Sequence, residues 1–169
     1  RWGKDPFAFQ HDITVNYSIS QRAPSITWNG IYPKLIGGWD LTMRAGYDFI
    51  RWQNFFGVGN ETKAATKELD FYRLRSTELF GNVGVQKYFG RNMVGFSVHY
   101  QRVQSKNDTD RFVNKVIYPE NPNVYQTNQY GSLQGRYSFV AVNDSVLPTK
   151  GITFLAIGTL SRNFTALEW

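Results

Sequence analysis

Most of the chain alternates between apolar and polar residues with a period of two. In the first such segment, the odd positions from Phe7 to Ile19 are mostly apolar, and the even positions through Ser20 are small or polar. Because successive side chains of a β-strand point to opposite faces, this period predicts strands with one apolar and one polar face. No segment has a helical period, so the sequence predicts an all-β fold.

Seven segments share this alternation. The predicted strands cover residues 7–19, 24–32, 36–50, 71–89, 92–104, 128–142 and 151–162. In the fourth segment, Tyr72 and Leu74 fall on the opposite parity from Leu79. A one-residue change of parity indicates a β-bulge, which we expect near Thr77–Glu78.

Strand length separates a soluble sheet from a membrane-spanning one. Several segments alternate for thirteen residues or more, whereas strands of soluble proteins are most often ~5–6 residues long. A tilted strand needs ~9–11 residues to cross the hydrocarbon of a bilayer. The pattern therefore predicts an antiparallel transmembrane β-barrel, whose polar strand faces line its interior.

Charged residues near the strand centres all fall on the polar faces. We expect them to face the barrel lumen; they are Asp12, Asp40, Arg44, Asp48 and Arg136. Asp40 and Asp48 flank Arg44 on one face, which resembles a lumen charge ladder more than a catalytic pair. No catalytic residue is predicted, and the chain is not expected to be an enzyme in this region.

The predicted links differ in length between the two ends of the strand array. Short links are expected near Pro33–Lys34, Gly90–Arg91 and Asn143–Lys150, and long polar links at Arg51–Asp70 and Ser105–Thr127. Outer-membrane barrels have short periplasmic turns and long external loops. The link Gln21–Ala23 is an exception, because it is short but lies on the long-loop side.

Composition narrows the function classes. The net charge is +6, but the 19 basic residues are scattered, so no nucleic-acid surface is predicted. Aromatic residues make up 17% of the chain, and many lie near strand ends, as in the interfacial girdles of barrels.

The chain has no cysteine, which excludes disulfides and thiolate metal sites. No cofactor is predicted, because Gly57 and Gly59 lack the third glycine and the following helix of a nucleotide loop. No metal is predicted either, because His11 and His99 are lone histidines within alternating segments.

Two short motifs carry a family resemblance. "NFFGVGNET" is followed ten residues later by "YRLRSTEL", and "LPTKGITF" comes near the end of the chain. Together they resemble the barrel of the bacterial surface antigen superfamily, to which the assembly factors BamA and TamA belong. The nearest likeness is to a branch whose barrel follows other domains, sometimes a calcineurin-like phosphoesterase. The motif residues are Phe55, Phe56, Gly57, Gly59, Asn60, Glu61 and Thr62, and then Pro148, Thr149 and Gly151.

The resemblance implies a structural role for both motifs. The first would be an external loop, folded tightly at its glycines, anchored by Phe55 and Phe56, and bonded to its own backbone by residues 60–62. The second would be a periplasmic turn between central strands.

The resemblance also implies a place and an activity. The family barrel has sixteen strands, so residues 1–169 would form part of one such barrel in the bacterial outer membrane. Its partners would be outer-membrane lipid, the remaining strands, and client proteins or accessory lipoproteins. The implied function is insertion, assembly or translocation of outer-membrane proteins. Two alternatives stay open: a passive pore or an anchor and export channel for an attached domain, and a soluble ligand-binding β-barrel.

Overall fold

The computed structural model describes residues 7–56, 68–143 and 149–165, and it is an all-β structure. Seven strands form one sheet. They are β1 (Gln10–Ser18), β2 (Ala23–Ile36), β3 (Trp39–Asn54), β4 (Arg73–Phe89), β5 (Asn92–Lys106), β6 (Thr127–Val142) and β7 (Gly151–Asn163). Each of the seven predicted strands is confirmed, with shifts of a few residues at its ends.

The strands follow one another in the sheet in sequence order, and every neighbouring pair is antiparallel. The links 19–22, 55–72 and 107–126 lie at one end, which we call the long-loop end. The links 37–38, 90–91 and 143–150 lie at the other, the short-turn end. Within the described residues β1 and β7 do not pair with each other, so the sheet is open rather than a closed barrel.

The strand register produces two continuous faces. One row of the apolar face crosses five strands through Met43, Val83, Val98, Leu133 and Leu160. The adjacent row of the polar face crosses all seven strands; it contains Asp12, Asn29, Arg44, Asn82, His99, Ser132 and Ser161. The alternation in each strand is therefore kept in register across the whole sheet.

The apolar face is the more exposed of the two. Ile13 is 68% exposed, Val98 57% and Leu160 77%, whereas Glu78 on the polar face is 5% exposed. Buried apolar side chains in the described part of the chain are few, namely Ala23, Tyr72, Met93 and Val113. This arrangement is the inverse of a soluble domain, in which apolar side chains form the core.

Two local predictions were wrong in position. The turn expected at Pro33–Lys34 lies instead at Gly37 and Gly38, whose φ angles of +57° and +78° favour glycine. Pro33 and Lys34 belong to β2, whose register against β3 shifts between Tyr32 and Ile36. The carboxylate of Asp40 accepts a hydrogen bond of 2.9 Å from the Lys34 backbone N–H, which ties this irregularity down.

The predicted bulge lies in the neighbouring strand. The register of β3 against β4 shifts between Asp48 and Arg51, where Phe49 and Ile50 together face Thr77. The pairing of β4 with β5 has no such shift. The bulge expected within β4 is therefore in β3.

The long-loop end is covered by short helical turns. They are 3₁₀ turns at Leu69–Tyr72 and Pro122–Tyr125 and a π-helical turn at Val113–Ile117. Tyr72, 2% exposed, packs against Phe112 with 5.3 Å between ring centroids. The residues leading into β4 occupy positions that would belong to the polar face. They are apolar because a loop covers them at this end of the sheet.

Candidate functional site

The polar face carries a cleft of about 550 Å³ near its centre, lined mainly by β3, β4 and β5. Two carboxylates within it have partners. Asp48 accepts a hydrogen bond of 2.6 Å from the Ser25 hydroxyl, and Glu78 accepts one of 2.7 Å from the Gln101 amide. Arg44 lies over the Phe80 ring, 5.2 Å from its centroid. The cleft is thus a hydrogen-bonded polar surface with both signs of charge.

The five charged residues predicted to face a lumen all register on this face. Asp12 and Arg44 share one row, and Asp40 and Arg136 share another. Arg44 and Asp48 line the cleft itself. The sheet thus brings these side chains to one side, and a lumen on that side stays a prediction.

His99 contacts two polar neighbours on the same face. The Ser97 hydroxyl lies 3.0 Å from His99 Nε2, and the Asn82 amide nitrogen lies 2.8 Å from Nδ1 and 3.0 Å from Nε2. An atom so close to both ring nitrogens sits over the ring, because a position in the ring plane would collide with the carbon between them. A serine–histidine relay requires each ring nitrogen to have its own partner in the plane. The cluster does not have that geometry.

The described part of the second sequence motif is bonded to Asn143 just before β7. The Asn143 carboxamide oxygen accepts hydrogen bonds from the backbone N–H groups of Thr149 at 3.1 Å and Lys150 at 2.9 Å, while its amide donates to the Thr149 hydroxyl at 2.8 Å. Gly151 has φ of +138°, and a Cβ there would collide with the backbone of Ala141 and Val142. Thr149 and Gly151 therefore have structural reasons for their identity, and Pro148 lies outside the described residues.

The first motif is described only at its start. Phe55 donates its backbone N–H to the Tyr72 carbonyl at 2.8 Å, and its ring lies 6.3 Å from that of Phe112. Phe56 lies 5.0 Å from the Tyr72 ring. Both rings thus join the aromatic cluster at the long-loop end. The remaining motif residues, Gly57, Gly59, Asn60, Glu61 and Thr62, lie outside the described residues.

Sequence reasoning missed a charged cluster that joins the two long links. Arg75 pairs with Asp108 at 2.7 Å, and Arg111 donates to the Asp70 carbonyl. Both guanidinium groups also lie over the Trp52 indole, at 5.7 and 5.8 Å. Residues 105–127 were predicted as one long polar loop, and the apolar pair Phe112–Val113 beside Arg111 is a signal in the sequence that part of the loop packs.

Tyr125 belongs to the same loop region. Burial raises the pKa of its phenol above the ordinary 10.0, and the nearby Asp108 and Tyr118 raise it further, while a hydrogen bond with Asn114 lowers it. The net direction is upward. The neutral phenol is therefore the form that the folded loop favours.

Aromatic and basic side chains mark the short-turn end of the apolar face. His11 accepts a hydrogen bond of 3.1 Å from the Trp28 indole and lies 3.2 Å from the Tyr32 hydroxyl. Lys87 donates to the Gly37 carbonyl at 2.7 Å, and its ammonium lies 5.9 Å from the Trp39 ring. These side chains combine an apolar body with a polar tip, as do residues at a bilayer interface.

The described chain defines a class of structure: an open antiparallel sheet with one exposed apolar face and one polar face. No helix in the described ranges is long and apolar enough to cross a membrane. Within those ranges, no group of three or more His, Asp or Glu side chains is arranged to hold a metal ion. Comparison with family models, curated proteins and solved structures finds no match to this chain.

Proposed function

We propose that this chain forms part of the wall of a transmembrane β-barrel in the bacterial outer membrane. The observation that supports this best is the exposed apolar face, which continues in register across the seven strands. Val98, Leu133 and Leu160 lie in one row of that face and are 57%, 59% and 77% exposed. An apolar surface of this extent is costly in water, and lipid would cover it.

The height of the apolar face fits a bilayer. On β5, the lipid-facing positions from Val94 to Tyr100 lie between Asn92 and Arg102. The ten residue steps from Asn92 to Arg102, at ~3.3 Å each, give roughly 33 Å along the strand. A tilt of ~40° reduces this to roughly 25 Å, which is the height of the apolar band of outer-membrane barrels.

The two unpaired sheet edges require further strands. Outer β1 and β7 backbone groups have no strand partner within the described residues, and lipid offers no hydrogen bonds to such groups. A larger barrel would satisfy them. The sixteen-stranded barrel implied by the family resemblance is the form that we propose, with these strands as a continuous part of its wall.

The proposed activity is the insertion, assembly or translocation of outer-membrane proteins, and it rests on the resemblance of the two motifs to the BamA and TamA superfamily. A second candidate, a pore or an export channel for an attached domain, is favoured by the cleft on the polar face.

The two candidate functions differ in what depletion of the protein would do. Depletion of an assembly factor in its host lowers the amounts of other outer-membrane proteins, whereas depletion of a pore leaves them unchanged and removes a conductance.

A cysteine scan along β5 tests the membrane location. The chain has no natural cysteine, so each introduced cysteine carries a label at one position. With the full chain in phospholipid vesicles, labels at even positions 94–100 should be quenched by a lipid-soluble quencher. Labels at odd positions 95–101 should instead respond to a water-soluble quencher. A scan without this period of two, or a chain that stays in solution, would contradict the proposal in favour of a soluble β-protein.

A further inference from the structure

We propose that Arg102 and Arg162 bind the phosphate groups of anionic lipid headgroups at the long-loop end of the apolar face. This inference rests on the proposed membrane location and adds a ligand to that surface. Neither the predicted lumen residues nor the two sequence motifs include these arginines.

Arg102 belongs to the apolar face by register. It pairs with Leu79 on β4 and with Gln129 on β6, just beyond the row that contains Tyr100. The side chain is exposed and forms no ion pair with any described residue. It lines a notch of about 210 Å³; the other lining residues are Tyr47, Thr77, Leu79 and Gln104. An arginine beside hydroxyl and amide groups matches the hydrogen-bonding needs of a phosphate.

Arg162 lies two strands away on the same face. It pairs with Gly131, which in turn pairs with Tyr100. The side chain is exposed, has no ion-pair partner among the residues that the structure covers, and lines a second notch of about 310 Å³. Between the two arginines, the Tyr100 hydroxyl donates to the Gln129 carboxamide at 2.9 Å, so polar groups connect them.

The charged residues are divided between the two faces so that the apolar face is complementary to lipid phosphate. Every carboxylate within the seven strands lies on the polar face; these are Asp12, Asp40, Asp48 and Glu78. The apolar face has basic residues at its long-loop end and no strand carboxylate to neutralise them. Arg75 and Lys106 there already contact Asp108 and the Phe49 ring. Arg102 and Arg162 are therefore available to bind an anion from outside the chain.

The position favours a lipid over a dissolved anion. Val98, Leu133 and Leu160 form a row of the apolar face that lies next to the row of Arg162 and two rows from that of Arg102. A lipid would place its acyl chains on these side chains and its phosphate at the arginines. Each basic side chain near an anionic membrane surface contributes about 1 kcal/mol of attraction, or roughly a fivefold change in affinity.

Native mass spectrometry of the full chain can measure this binding. The chain would be released from nanodiscs of phosphatidylcholine with and without phosphatidylglycerol, and retained lipids counted. We expect phosphatidylglycerol to be retained preferentially, Arg102→Gln to lower its affinity about fivefold, and Arg162→Gln to act similarly. Arg102→Lys should keep most of the binding. Arg136→Gln is the charge-matched control, because Arg136 lies on the polar face, and it should change lipid affinity less than twofold.

The outcomes separate this inference from the proposed function. Unchanged phosphatidylglycerol retention in Arg102→Gln and Arg162→Gln, with normal insertion in the cysteine scan, would overturn the lipid site alone. Equal losses in Arg136→Gln would also overturn it, because they would reflect net charge. Displacement of the lipid by millimolar inorganic phosphate would indicate a site for a free anion instead. Failure of the chain to insert would overturn both proposals.

Discussion

Glu78 and Gln101 are diagonal neighbours across the β4–β5 pair, and the Gln101 amide donates a 2.7 Å hydrogen bond to the Glu78 carboxylate. Glu78 is 5% exposed, so this is the most buried carboxylate in the described strands. A buried carboxylate is stable only with hydrogen-bond donors around it. The polar face is therefore a packed surface at this point, and its stability depends on specific pairs.

Replacing Gln101 with leucine should destabilise the fold. Gln101→Leu removes a donor from a buried carboxylate, and we expect a loss of about 1–3 kcal/mol. Urea unfolding in detergent or vesicles measures it. Gln134→Leu is the matched control, because the Gln134 amide bonds the Thr159 hydroxyl at 3.2 Å in an exposed position. A control that costs as much as Gln101→Leu would contradict the role of burial.

A charge on the apolar face should be far more costly than one on the polar face. Val98→Arg would place a guanidinium near the middle of the apolar face, which we propose is covered by lipid, with an expected cost of about 2–4 kcal/mol in vesicles. Gln134→Arg adds the same charge on the polar face, in the adjacent row, and should cost less than about 1 kcal/mol. Folding titrations in urea compare the two. Equal costs would show that the two faces do not differ in environment.

Gly46 should not tolerate a side chain. A Cβ there would meet the Phe80 ring and lie 2.9 Å from the Ile26 carbonyl oxygen, and the backbone oxygen has no room to move. We expect Gly46→Ala to destabilise by about 1–3 kcal/mol. Gly81→Ala is the control, because a Cβ at Gly81 has no atom within 4 Å among those described; it should stay within ~0.5 kcal/mol. Similar effects of both would point to strand propensity rather than collision.

The turn before β7 should depend on the acceptor oxygen of Asn143. Asn143→Ala removes three hydrogen bonds to Thr149 and Lys150, and we expect a loss of about 1–2 kcal/mol. Asn143→Asp keeps the oxygen that accepts from both backbone N–H groups and should lose less than half as much. Thermal unfolding of both variants gives the comparison. The idea would be wrong if aspartate were as damaging as alanine.

Tyr125 should titrate above its ordinary pKa of 10.0, because burial and Asp108 raise the pKa. Its folded pKa lies above its unfolded one, so the stabilising contribution is complete below pH 10 and is lost as the pH rises through the folded pKa. The difference in phenolate absorbance between the parent chain and Tyr125→Phe isolates this group. A midpoint at or below 10.0 would contradict the burial of Tyr125 in the loop.

The alternation of apolar and polar residues was sufficient to predict the strands and the face on which each side chain lies. The period of two located all seven strands, because a one-residue slip would move every apolar side chain of a strand to the other face. The same period assigned Asp12, Asp40, Arg44, Asp48 and Arg136 to one face. The prediction of the turn between β2 and β3 was wrong, because both a proline and a pair of glycines lie in this region. Pro33–Lys34 was predicted as the turn, but the turn lies at Gly37 and Gly38, whose positive φ angles favour glycine.

Contacts between distant segments could not be predicted in this way. Trp52, Arg75 and Arg111 meet only because β3, β4 and the link after β5 converge at the long-loop end. The bulge at Phe49 and Ile50 is likewise defined by a pairing, because these two residues together face Thr77 of β4.

The sequence by itself determined an antiparallel all-β chain with one apolar and one polar face, because side-chain alternation is a local property of each strand. The tertiary structure decided which strands are neighbours, where the register shifts and how the loops cover one end. It also brought Arg102 and Arg162 to a common border of the apolar face, since their proximity depends on pairing across β5, β6 and β7 rather than on spacing along the chain.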